Sequence, residues 1–167
     1  MITELNPGVT CQHAGDRVTF SCEPALHLVV VRVGAGAPHV AFGGFGRQPG
    51  AFDTPIDITL VQPQFFGEAH SMADTDSQYL AVADYGNTRV QIFELDGSLV
   101  ATLDEGFESI GRPTRLTWRA PFLEVEGLDG ARISIHLGAA LLAQHAAAPR
   151  ATLRTFSAPS RQSWDVC

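Results

Sequence analysis

The sequence predicts an all-β domain assembled from repeated antiparallel meanders, and three observations carry that prediction. The run Val82-Ala83-Asp84-Tyr85-Gly86-Asn87-Thr88-Arg89-Val90-Gln91-Ile92-Phe93-Glu94-Leu95-Asp96-Gly97 spells strand, tight turn, strand and second turn within sixteen residues. Across Arg89-Val90-Gln91-Ile92, polar and apolar residues alternate with the period of two that places successive side chains on opposite faces of a sheet. Proline-led apolar segments recur at Pro7, Pro55 and Pro113, separated by 48 and 58 residues. That spacing is close to the period of about 40–50 residues of stacked β units, with the excess assigned to insertions.

The elements follow in order from the best-defined unit. Pro55 opens a first strand over residues 55–60, a second runs over 79–84, and the turn 85–88 leads to a third over 89–93. In that turn Gly86 and Asn87 are the residues expected to take positive φ. Asp96-Gly97 reverses the chain again, and 99–103 reads as an outer strand. Upstream, Phe42-Gly43-Gly44-Phe45-Gly46-Arg47-Gln48-Pro49-Gly50-Ala51-Phe52-Asp53-Thr54-Pro55 is a glycine-rich connector. Together with V-A-D-x-G-N-x-R-V-Q-I-F-x-x-D-G, this pattern over residues 42–103 resembles the NHL repeat of β-propeller proteins.

The resemblance implies a partial NHL-type β-propeller of about three blades, each a four-stranded antiparallel meander. Residues 1–156 would form it, with blades over about 5–43, 52–104 and 110–156, and 157–167 would be a loose tail. Pro113-Thr114-Arg115-Leu116-Thr117-Trp118 aligns with Pro55-Ile56-Asp57-Ile58-Thr59-Leu60, and Pro7-Gly8-Val9-Thr10-Cys11 more loosely. Second strands are placed at 17–22 and 122–126, third strands at 27–32 and 132–136, and outer strands at 39–42 and within 141–156. The alanine-rich stretch 138–148 offers a short helix as the alternative to that last strand. A propeller ring normally needs about four to eight blades to close. The expected solutions are a homodimer completing a six-bladed ring about a two-fold axis, or an open arc with its edge strand covered; a fragment or truncated gene product is the rival account.

Composition bounds the function. A chain of 167 residues, 45% apolar and 17% charged, is one folded domain rather than a disordered segment. No apolar run is long enough for a transmembrane helix, since residues 26–33 are interrupted by His27 and Arg32. The start lacks the basic-then-apolar layout of a secretory signal, so a cytoplasmic address is expected. Cys11, Cys22 and Cys167 are scattered and read as free thiols, without zinc spacing. The net charge of −7, with all 11 basic residues arginine, disfavours nucleic acid as the main partner.

Candidate site residues fall in three groups. If the first strands line a channel, as the resemblance implies, Asp57 and Thr59 share one face and Arg115 and Thr117 another. These groups either hold a small polar ligand or hydrogen-bond to one another and to water. Asp84 and Arg89 flank the turn and oppose one another across the hairpin as a structural charge pair. The insertion 61–78 carries Phe65, Phe66 and Met72 as apolar anchors, with Glu68, His70, Asp74 and Asp76 as a polar rim; the alternative folds Phe65 and Phe66 back onto their own blade.

The six histidines lack metal-ligand spacing, no G-x-S-x-G elbow or phosphate loop is present, and neither a metal nor a cofactor is expected. The resemblance implies protein–protein recognition first. The expected function is a noncatalytic interaction scaffold that binds a protein through one propeller face and the 61–78 loop. RNA binding, through Arg47, Arg112, Arg115 and Arg119, is the alternative, and a channel-based metal-dependent hydrolase or lyase the second.

Overall fold

The computed structural model describes residues 12–14, 18–34, 39–62 and 78–147. Among them are three antiparallel sheets, each with its strands in chain order, and one α-helix. Sheet one comprises β1 (Gln12–Ala14), β2 (Val18–Glu23), β3 (Leu28–Val33) and β4 (His39–Gly43). Sheet two comprises β5 (Pro55–Val61), β6 (Tyr79–Asp84), β7 (Arg89–Glu94) and β8 (Leu99–Leu103). Sheet three has three strands, β9 (Pro113–Arg119), β10 (Phe122–Gly127) and β11 (Arg132–His136), followed by α1 (Leu137–Ala147).

The sheets pack in series with sheet two in the middle. β1 and β2 lie against β5, and β9 lies against β5 and β6. Alternation along the central strands divides the core accordingly. Ile58, Leu80, Val82 and Phe93 join Phe20, Cys22, Val29, Val31 and Phe52 between sheets one and two. Val61, Ala81, Ala83, Val90 and Ile92 join Leu116, Leu123 and Val125 between sheets two and three. Both faces of β6 are therefore buried, which is why Leu80-Ala81-Val82-Ala83 reads as continuous rather than alternating hydrophobicity.

Two expectations are corrected here. Among the described residues the third unit has three strands: residues 141–147 of the expected outer strand belong to α1 instead, and 148–156 lie outside the described residues. Alanine and leucine favour helix over strand, and Leu137 and Leu141 fill the space between sheets two and three. α1 packs on β8 and β11, and its Gln144 side chain donates to the Thr102 carbonyl of β8.

The second correction concerns the 85–88 turn. Tyr85–Asn87 is a 3₁₀ turn, and the residue with left-handed backbone is Thr88 (φ 54°), not Gly86 or Asn87. Sheet one repeats the device, with a 3₁₀ turn at Pro24–Leu26 capped by His27 (φ 56°). Gly86 is needed for a different reason. A Cβ there would stand 2.4 Å from the Asp53 carboxyl carbon, and the Gly86 N–H donates to the Asp53 carbonyl at 2.7 Å.

The first strand expected near 7–11 and the tail 157–167 lie outside the described residues, as do Cys11 and Cys167. Cys22 is a free, buried thiol, pushed up chiefly by burial and secondarily by Asp57. Among the described residues no helix is long and apolar enough to cross a membrane.

Candidate functional site

The inner edges of β5 and β9 run side by side and leave an open cleft of about 590 Å³ between them, lined by Asp57, Thr59, Leu60, Arg115, Leu116, Thr117 and Trp118. The structure thus brings Asp57 and Arg115 into one cleft. Asp57 is nearly buried, and its carboxylate joins the two sheets. Its Oδ1 accepts from the Ile58 N–H at 2.9 Å and its Oδ2 from the Leu116 N–H at 2.7 Å. Burial pushes the Asp57 carboxyl above its ordinary range, outweighing the two N–H donors and the nearby Arg115 charge, which pull it down.

A second polar constellation closes the connector over the β6–β7 hairpin. Asp84, fully buried, accepts from the Asp53 N–H at 2.7 Å on Oδ1, and from Arg89 Nε and Asn87 Nδ2 at 2.8 Å each on Oδ2. The Arg89 guanidinium then donates to the Arg47, Gln48 and Ala51 carbonyls at 2.8–3.0 Å. Gln91 lies beside it, donating to the Ala51 carbonyl at 2.8 Å and accepting from the Gly50 N–H at 2.9 Å. Asn87 also donates to the Gly46 carbonyl at 2.8 Å. Every charge and amide in this cluster has a partner, and what it holds is the 46–53 connector rather than open space.

This clamp extends into a continuous surface at one end of the molecule. The Thr54 N–H donates to His27 Nδ1 at 3.0 Å, tying the connector to the sheet-one turn, and the Arg112 guanidinium stacks 5.0 Å over the Tyr85 ring. Gly127 meets the second connector so closely that a Cβ would overlap the Ile110 carbonyl oxygen. Three hairpin turns and two connectors therefore alternate across this end. It carries the three most exposed large apolar side chains among the described residues: Leu26 (64%), Phe45 (72%) and Leu128 (61%). The Phe45 ring stands edge-on to His27 at 4.9 Å.

The outer face of sheet three differs. Arg115, Thr117, Arg119, Glu124, Glu126 and Arg132 line it, with Arg132 paired to Glu126 at 2.7 Å and Arg119 to Glu124 at 3.5 Å. The four arginines weighed for RNA do not converge, since Arg115 and Arg119 lie on this face while Arg47 and Arg112 lie at the turn end.

Phe65, Phe66, His70, Asp74 and Asp76 lie outside the described residues. Their loop joins Val61 to Tyr79, which pair at the end of sheet two opposite the turn surface. Among the described residues no three His, Cys, Asp or Glu side chains group closely enough to hold a metal ion. Sequence reasoning missed Asp53, Asn87 and Gln91 as members of the clamp. A glutamine within the apolar run Val90-Gln91-Ile92-Phe93 was the available signal, because a buried amide needs partners. Compared with protein-family models the chain matches none, and no curated protein matches it.

Proposed function

We propose that the chain is a noncatalytic protein-interaction scaffold of the NHL-propeller type, an arc in which each sheet serves as one blade, and that a protein partner docks on the turn end. One observation carries this reading: Leu26, Phe45 and Leu128, each more than half exposed, sit on the turns and connectors at one end. Apolar side chains standing clear of a rigid scaffold are the usual anchors of protein interfaces. The buried clamp of Asp84, Arg89 and Gln91 fixes the connector that presents Phe45, so the anchor is offered without a large ordering cost. The 61–78 loop, whose flanking residues Val61 and Tyr79 pair at the other end, belongs to the proposal as a separate contact.

The homodimer expected to close a six-bladed ring would have to seat a sheet on the outer face of sheet three. That face is charged and ion-paired, whereas the faces packed between sheets one and two are apolar. Burying such pairs in a sheet-to-sheet contact brings a desolvation cost that the apolar contacts lack. We therefore favour the open arc.

Site-specific photo-cross-linking tests the docking face. A benzophenone side chain at Arg47, on the turn end, is expected to capture one predominant protein, whereas the same group at Phe122, at the opposite end, does not. Phe45→Ser should reduce that capture about tenfold or more, the loss typical of an interface anchor. Equal capture from both ends, or capture unchanged by Phe45→Ser, would contradict the proposal. Replacement of the captured protein by RNA would favour the nucleic-acid alternative.

A further inference from the structure

The cleft between β5 and β9 is lined by polar side chains that make no side-chain hydrogen bond among the described residues. Thr59 is 6% exposed, yet its hydroxyl makes no hydrogen bond among the described residues. Thr117, half-buried on the facing strand, has none either. Arg115 enters the same cleft without an ion pair among the described residues, although Arg119 and Arg132 on its sheet are both paired. Asp57 does not fill the gap, because both its oxygens are engaged by backbone N–H groups. Leu60 and Trp118 supply the apolar part of the lining.

A guanidinium and two hydroxyls border this cleft, and the carboxylate across from Arg115 on β10, Glu126, is held by Arg132. The cleft is open, so water reaches these groups, and a ligand that offers them acceptors can take the place of that water. The guanidinium fork matches a carboxylate in geometry. The balance of charge favours a monoanion: the carboxyl groups of Asp57 and Glu126 stand beside Arg115, and one arginine without an ion pair does not offset a phosphate dianion as well.

We propose that this cleft binds a small organic carboxylate. Arg115 takes the carboxylate, Thr59 and Thr117 bond its remaining oxygen or a neighbouring hydroxyl, and Leu60 and Trp118 cover its apolar portion. The site lies at the inner strand edges, away from the turn end, so it stands or falls independently of the docking face.

Mandelate is a suitable probe, since it joins a carboxylate, an α-hydroxyl and a flat apolar ring. Titrated into the isotopically labelled full chain, it should produce saturable shifts in the backbone amide signals of Thr59, Arg115 and Thr117. Arg115→Gln should weaken binding about tenfold or more, and the neutral analogue mandelamide should bind about tenfold more weakly to the unchanged protein. Arg115 is exposed, so the variant's remaining spectrum is expected to overlay that of the parent. Thr59→Val, which keeps the side-chain shape, should cost a severalfold loss of affinity. Absence of saturable shifts with mandelate into the tens of millimolar would overturn the proposal. So would shifts unaffected by Arg115→Gln, or equal binding of mandelamide, which would instead mark a site for neutral ligands.

Discussion

Arg89→Ala is expected to destabilise the fold by about 3–5 kcal/mol, the cost of leaving a buried charge without its partner. The Asp84 carboxylate has no exposure and would keep only neutral donors, from Asp53, Asn87 and, at 3.4 Å, Gln91. The Arg47 and Gln48 carbonyls would lose the guanidinium as donor, and Ala51 would retain only Gln91. The 46–53 connector would then be held by Phe52, by its own backbone bonds and by the remaining neutral contacts from Asn87, Gln91 and Gly86. Arg89→Lys should recover only part of the loss, because a single ammonium cannot reproduce a fork that reaches Asp84 and three carbonyls together. Urea unfolding measures both variants. A loss below about 1 kcal/mol for Arg89→Ala, the level of an exposed ion pair, would contradict the clamp.

Phe52→Ala is expected to cost a similar amount, about 3–5 kcal/mol, through the cavity it leaves. Phe52 has no exposure and stands 5.5 Å from the Phe93 ring and 6.4 Å from the Phe42 ring. Its ring also lies where a Cβ on Gly43 would be, 2.5 Å away, so this corner is filled to contact. Its N–H donates to the Gly44 carbonyl at 2.9 Å and its carbonyl accepts from the Gly46 N–H at 3.0 Å, so the same residue anchors the connector by backbone and side chain. Phe45, seven residues earlier and 72% exposed, provides the contrast. Its replacement by serine should leave the unfolding midpoint nearly unchanged, within the roughly 0.5 kcal/mol usual for surface positions. Loss of capture in that variant can therefore be read as loss of docking.

Much of the fold was legible because its signals are local. β6, β8 and β11 begin and end where turn residues and apolar alternation place them, at Tyr79–Asp84, Leu99–Leu103 and Arg132–His136. β9 runs one residue past its expected end, to Arg119. The conformation of the turn was less legible. Gly86 reads as a positive-φ residue by composition, yet its lack of a side chain answers to Asp53, more than thirty residues earlier, and Thr88 takes the left-handed backbone instead.

The site divides along the same line. Period two placed Asp57 with Thr59 and Arg115 with Thr117 on their strands, but it did not disclose that Asp57 reaches the Leu116 N–H across the sheets. Nor does alternation reveal which half-polar face stays in water. The charges of β9 and β10 read as one side of a half-buried sheet, and only their ion pairs identify the outer surface of the stack. The α1 segment shows the limit of repeat reasoning. Aligning the third unit with the second called for a strand, while local helix propensity and the space for Leu137 and Leu141 produced a helix.

The proposed open arc underlies both proposed surfaces, because a second copy seated against sheet three would enclose the β5–β9 cleft within a ring. Light scattering on the purified chain tests it most directly. The expected result is a single species at the chain mass of 17.9 kDa, unchanged as concentration rises; a stable species at twice that mass, dissociated by charge reversal at Arg132 on the outer face, would contradict it.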